Sequence, residues 1–288
     1  SKIIAAVQRI TPADIESTET REKFISSLPS YIFGTTGGNT ACVQLTHKDS
    51  NFIIDAGSGL RALGANTKNP KKYSMFISHF HWDHINGFPF FGHAFDPSTV
   101  FDIYSNYENA EENFFKQMDV PFSPESVHKS ITKNIKFHLC KEGQEFEVDG
   151  IKINTIKMNH PGDSYTFSFE VDGKKFVYAT DVELTPQDFK STPAAEKVFR
   201  NADAIVLDSQ YTVEEAYRKQ NWGHSAFCFA VDFVVTWGIK KLFLFHHEPA
   251  YDDKKLDSIL KAARWYAKYI NHSDVEIYIA KEDMEFDV

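Results

Sequence analysis

Short apolar runs alternate with amphipathic stretches along the chain, a pattern that predicts mixed strands and helices. Strands are expected at Ala41–Leu45, Asn51–Ile54, Tyr73–Ile77 and Val100–Tyr104, then at Ile135–Leu139, Glu145–Val148 and Ile151–Met158. Tyr165–Val171 and Lys175–Ala179 read as a hairpin turning at Asp172-Gly173. Ala204–Leu207, Leu242–Phe245 and Val275–Ile279 complete the set, the first of them apolar throughout, as in a strand buried on both faces. Helical spacing is read at Leu60–Gly64, Ala110–Met118, Pro186 to about Phe199, and Val213–Lys219. A further helix opens at His224 with Phe227, Val231, Val234 and Val235 at its apolar positions, and Leu256 to Ile270 is amphipathic. At the start, a strand is expected around Ile3–Val7, followed by a helix from the Thr11-Pro12 cap to about Ser27. No repeat or linker interrupts the pattern, so residues 1–288 read as one domain, with 1–30 as an N-terminal strand and helix extension.

The chemistry gathers where strands end. His79-Phe80-His81-Trp82-Asp83-His84 follows the strand ending at Ile77. In extended backbone, positions two apart face the same way, so His79 and His81 can chelate one ion, while Asp83 and His84, at the turn, can face a second. Imidazoles beside a hard carboxylate suit zinc, manganese or iron(II). A lone HxH would be chance, but His160, Asp181, Asp208 and His246 also sit just past strand ends. Asp55 lies at another strand end beside glycines, where it either braces the histidine loop or closes an Asx-turn. The glycine-rich run Gly34 to Thr40 leads into a strand and not a helix, which argues against a phosphate-binding P-loop. His47, His93, His128, His138 and His272 lack matching partners and are read as structural or surface residues.

Composition narrows the picture modestly. The net charge of −9 offers no broad attraction for a polyanion. No apolar run is long enough for a transmembrane helix, and no signal peptide is visible in a chain that begins at Ser. Cys42, Cys140 and Cys228 are far apart and form no pair motif, which favours a reducing, cytoplasmic setting.

Gly37-Gly38-Asn39-Thr40, Asp55-Ala56-Gly57, the HxHxDH run, His160-Pro161-Gly162, Ala179-Thr180-Asp181 and the late His246 together resemble the metallo-β-lactamase superfamily. That resemblance implies a four-layered αβ/βα fold, two mixed sheets between helices, and a hydrolase carrying two divalent metal ions, zinc or manganese first and iron as a further option. It implies that His79, His81 and His160 hold one ion, that Asp83, His84 and His246 hold the other, and that Asp181 bridges them. His247 is the rival to His246. The segment Asp208 to Thr212, with Gly223-His224-Ser225 and Leu242–His246, resembles the phosphodiesterase branch, in particular the tail of the tRNA 3′-processing endonucleases. There an acid and a histidine form a dyad near the scissile phosphate. Here they would be Asp208, a shorter acid than the usual Glu, and His224.

The implied reaction is attack on phosphorus by a hydroxide bridging the two ions, with Asp83 as a further proton acceptor. Only a hairpin fits between His160 and Asp181, where the tRNA-processing enzymes carry a long arm. The expectation is therefore a small-molecule phosphodiester, such as a cyclic nucleotide, with no tRNA-type nucleic acid, no membrane, and a possible homodimer through Phe114–Phe122. The competing readings are a lactonase or thioesterase, and a non-catalytic metal-bearing scaffold that binds a nucleotide.

Overall fold

Strand β3 (Lys72–Ile77) shows how the layers arise in this computed structural model, which describes residues 2–29, 31–125, 131, 134–270 and 274–288. Tyr73, Met75 and Ile77 project to one side, into a core shared with Leu60, Phe88, Phe91 and Phe114. Phe76 projects to the other, against Phe167 and Phe169 at 5.6 and 5.0 Å. Alternating side chains thus feed two cores from one strand. β10 (Ala204–Asp208) repeats the pattern: Ile205 and Leu207 enter an outer core, Ala204 and Val206 the inner one.

The first sheet orders β1 (Val43–His47), β2 (Ser50–Ile54), β3, β4 (Val100–Ser105) and β5 (Ile135–Leu139). The second runs β12 (Glu276–Ile279), β11 (Lys241–Phe245), β10, β9 (Lys174–Ala179), β8 (Ser164–Val171), β7 (Ile151–Met158) and β6 (Phe146–Val148). Helices α3 (Gly59–Asn66) and α4 (Ala110–Lys116) supply Leu60 and Phe114 to the outer core of the first sheet. Helices α5 (Pro193–Phe199), α7 (Phe227–Trp237) and α8 (Asp253–Tyr269) supply that of the second. The four layers match the expected fold class.

Pairing direction places the strand ends. β9, β10 and β11 are mutually parallel, and β7 runs the same way because two antiparallel steps separate it from β9. In the other sheet β2 and β3 are parallel. The residues just past β2, β3, β7, β9, β10 and β11 therefore meet at one edge of the sandwich. The β8–β9 hairpin turns at Asp172 and Gly173 with φ of 51° and 75°, a left-handed pair suited to a two-residue hairpin turn.

Several expectations need correction. Ile3–Val7 is not a strand: with no strand paired to it among the described residues, Lys2–Val7 satisfies its own backbone as helix α1. The expected helix from Thr11 to Ser27 is two pieces, a 3-10 turn Pro12–Ile15 and α2 (Thr18–Ser27), because Ser17 caps the second by accepting from Thr20 N at 3.0 Å. The helix expected from Pro186 begins only at Pro193, where Thr192 is its cap. The helix expected at His224 begins at Phe227, leaving His224 in the preceding loop. Val213–Arg218, helix α6, lies within the expected span. Phe114 and Met118 are fully buried, so the large apolar residues exposed in the stretch proposed as a surface contact are Val120 and Phe122. His128 and His272 lie outside the described residues. Among the described residues no helix is long and apolar enough to cross a membrane.

Trp237 anchors the outer core of the second sheet. It is fully buried against Phe199 and Phe233, under the Arg200 guanidinium, and its indole N–H donates to Asp188 O at 3.2 Å. Trp237→Ala is expected to lower the unfolding free energy by about 3–5 kcal/mol in urea denaturation, whereas a loss under about 1 kcal/mol would contradict this packing.

Candidate metal centre

Asp181 follows β9 and is almost fully buried. Its two carboxylate oxygens face two different groups of side chains. Oδ2 lies 3.5 Å from His79 Nε2 and 3.7 Å from His160 Nε2. His81 joins that group through Nδ1, 3.1 Å from His160 Nε2. Oδ1 lies 3.1 Å from His84 Nε2 and 3.2 Å from His246 Nε2. Asp83 Oδ2 completes the second group, 3.2 Å from His246 Nε2 and 3.4 Å from His84 Nε2. Each group brings its ligand atoms within 4.8 Å of one another. All seven residues expected at the site therefore converge, and His246 is the late histidine among them. His247 instead hydrogen-bonds Ala280 O at 2.8 Å.

Backbone geometry at the strand ends makes this convergence possible. Asp55, Asp181 and His246 have φ of 57°, 50° and 58°. A left-handed residue so close behind a strand end turns the chain sharply, at a cost of order 1–3 kcal/mol each. Asp and His tolerate it better than branched residues do.

The far sides of three rings are tied down. His84 Nδ1–H donates to Asp55 Oδ2 at 2.7 Å, and His160 Nδ1–H donates to Gly223 O at 2.9 Å. Ser78 Oγ–H donates to Asp55 Oδ2, so it can accept from His79 Nδ1–H at 3.0 Å. These partners fix the tautomers that turn Nε2 toward the centre. The Nε2 atoms of His79 and His84 are buried and, among the described residues, have no hydrogen-bond partner. Buried polar atoms are normally satisfied, so paired imidazole nitrogens around a shared carboxylate fit a divalent metal ion.

Asp55 is the brace and not merely an Asx-turn. Fully buried, it also accepts from Ser78 N at 2.8 Å and Tyr178 O–H at 2.8 Å. Nothing in the local sequence marks Ser78 or Tyr178 as part of the site. A strand tyrosine carries no signal of a partner across the inter-sheet core. Gly223 was met only as part of Gly-His-Ser. Its φ is 89°, and a Cβ there would lie 2.1 Å from His160 Nδ1, so the loop approaches His160 as only glycine permits.

Asp208 and His224 meet as expected: His224 Nδ1–H donates to Asp208 Oδ2 at 2.6 Å. The buried carboxylate also accepts from the backbone N–H groups of Val182, Gln210 and Ser225. The His224 ring stacks on His246 with centroids 4.8 Å apart. Structural histidines stay apart: His93 bonds Tyr73 O–H, His138 bonds Asp102, and His47 lies 3.5 Å from Asp172.

Charge is divided unevenly between the two groups. Burial pushes His79, His81 and His160 down, leaving them neutral and ready to ligate. Burial would also lower His84, but Asp181 and Asp55 outweigh it and raise it well above the ordinary imidazole value. His246 is likewise raised to about 9 by Asp181 and Asp83 against its burial. Burial would raise Asp181, but His246 and His84 hold it well below the usual carboxylate range.

The chain belongs to the Beta-lactamase superfamily domain, whose family profile matches residues 50–247. It is a metal-dependent hydrolase of that superfamily. Among curated relatives, Ribonuclease Z of Sulfurisphaera tokodaii is 26% identical over 298 aligned positions, covering 88% of this chain and 98% of that one. Among solved structures, the metallo-beta-lactamase fold protein YhfI of Bacillus subtilis superposes with a TM-score of 0.63 at 18% identity, covering 84% of this chain and 88% of that one. Human tRNase Z, short form, gives 0.62 at 17% identity, covering 86% and 92%.

The Ribonuclease Z relative overturns the expected partners, a small molecule with tRNA-type nucleic acid excluded. That exclusion rested on a missing arm and on net charge. Net charge is a whole-chain sum, whereas screening confines electrostatics to about 10 Å, so it says little about the surface around one site.

A protonated histidine must release its proton to ligate. Adding Mn²⁺ to chelator-treated protein near pH 7 is therefore expected to release protons from His84 and His246, with apparent affinity falling as pH falls. Calorimetry in buffers of different ionisation enthalpy checks this, and heats independent of the buffer would contradict it.

Proposed function

We propose that this protein is a phosphodiesterase that uses two divalent cations, zinc or manganese, to hydrolyse phosphodiester bonds in RNA. The observation that carries the reading is the division of Asp181 between two ligand groups, with the Asp208–His224 pair stacked against one of them. The Ribonuclease Z relatives support RNA as the first substrate to test.

In this reading His79, His81 and His160 hold one cation, Asp83, His84 and His246 hold the other, and Asp181 contributes one oxygen to each. Bound there, the pair supplies an activated water and offsets charge on the phosphoryl oxygens. The chain's own groups do the rest. Asp208 accepts the Nδ1–H of His224, so that the imidazolium form of the ring offers its Nε2–H to the departing alkoxide and is left as neutral imidazole. Asp83, with 39% of its side chain exposed, is the most open acid of the cluster and is placed to take a proton from the attacking water. His81 is exposed too, so the centre opens to solvent on that side.

Cation-loaded protein is expected to cleave single-stranded RNA. His224→Ala is expected to slow turnover about 10²- to 10⁴-fold with its cation content retained. A cyclic dinucleotide and a lactone serve as comparison substrates. Hydrolysis of the lactone with every phosphodiester left intact would contradict the reading and favour an ester hydrolase.

A further inference from the structure

Glu183 joins three segments that carry site residues. Its backbone pairs with Asn159, which precedes His160: Glu183 N donates to Asn159 O at 2.9 Å, and Asn159 Nδ2 donates to Glu183 O at 3.1 Å. Its own segment begins at Asp181. Its side chain reaches the loop before His224, where Oε1 accepts from Asn221 N and Oε2 from Gly223 N, both at 3.0 Å. Asn221 and Gly223 have φ of 66° and 89°. Left-handed residues near one another can aim their N–H groups at one anion, and here the anion is the protein's own carboxylate.

The consequence passes in two directions. Gly223 O accepts the Nδ1–H of His160, so holding Gly223 N fixes the carbonyl that orients a candidate ligand. The next residue is His224, so the same grip sets where the dyad histidine stands. Flanking bonds continue the zipper: Leu184 N donates to Ser225 Oγ at 2.9 Å, and Val182 N to Asp208 Oδ2 at 3.1 Å. Two N–H donors require two acceptors. Glutamine would satisfy one and set its own NH₂ against the other, and aspartate is one methylene shorter.

We propose that Glu183 is a positioning residue that couples the cation-holding His160 to the proton-donating His224. The inference rests on the reading of His224 as the acid for the leaving group. That role predicts a signature which loss of stability alone does not give. An aryloxide such as p-nitrophenolate leaves without a proton, whereas the alkoxide of a ribonucleotide needs one.

The test compares rates on a ribonucleotide phosphodiester and on a p-nitrophenyl phosphodiester for the full chain, Glu183→Ala, Glu183→Gln, His224→Ala and the Glu183→Ala/His224→Ala double variant. The ratio of the first rate to the second is expected to fall about 10- to 100-fold in Glu183→Ala. It should fall less in Glu183→Gln, and no further in the double variant than in His224→Ala. Two readouts stand apart from turnover. In metal-free protein, the low-field proton resonance of the His224–Asp208 bond should weaken in Glu183→Ala. The affinity for Mn²⁺ alone, measured against a competing chelator, should also fall. A ratio preserved in both Glu183 variants while His224→Ala loses it would overturn the coupling and leave the acid assignment standing. A ratio unchanged in His224→Ala would remove the acid assignment, and the coupling with it. If Glu183→Ala fails to fold, Glu183→Gln, which retains one bond, carries the same comparison.

Discussion

One buried carboxylate organises this molecule. Asp181 has almost no access to water, and an ionised group in that position is several kcal/mol unfavourable unless it is compensated. The compensation comes from imidazoles on both sides, and the left-handed backbone at Asp181 and His246 is tolerated because the surrounding structure over-determines it. His84 and His246 are held protonated against their own burial, which places positive charge beside a centre that collects carboxylates. A divalent cation would take the place of those protons.

The fold serves that centre by bringing parallel strand ends to one edge. Long-range hydrogen bonds then stitch the two sheets together. Asp55, at the end of β2, receives Tyr178 O–H from β9 in the other sheet, and also holds His84 and Ser78. The inter-sheet core beneath is strongly aromatic, with Phe52, Phe76, Phe167 and Phe169 in mutual contact. The chain has 26 phenylalanines, and many of them pack here and in the outer core around Phe88, Phe91, Phe101 and Phe114. A packed sandwich of this kind sets the distance between histidines that come from opposite sheets.

Much of this was legible in the sequence because strand ends are local. The HxHxDH run after Ile77, and the polar residues that follow Met158, Ala179, Leu207 and Phe245, announce themselves against the apolar strands before them. The supports were not legible, because they depend on what lies opposite. Tyr178 reads as one more strand residue until Asp55 is found 2.8 Å away. Glu183 reads as a surface acid until the loop at Asn221 and Gly223 turns its N–H groups inward. His81 facing inward through Nδ1, while its neighbours use Nε2, is a matter of rotamer and not of spacing. Ile3–Val7 looked like a strand because a short apolar run carries no information on whether a partner strand exists. The exclusion of nucleic acid failed for a related reason: a total charge averages over the surface that matters.

The most direct test of the shared carboxylate is anomalous scattering from crystals of cation-loaded protein, with elemental analysis of the same sample. The account predicts two cations per chain, one on each side of Asp181, and loss of both from an Asp181→Asn variant. A single cation remote from Asp181, or full catalytic competence after exhaustive chelation, would contradict it.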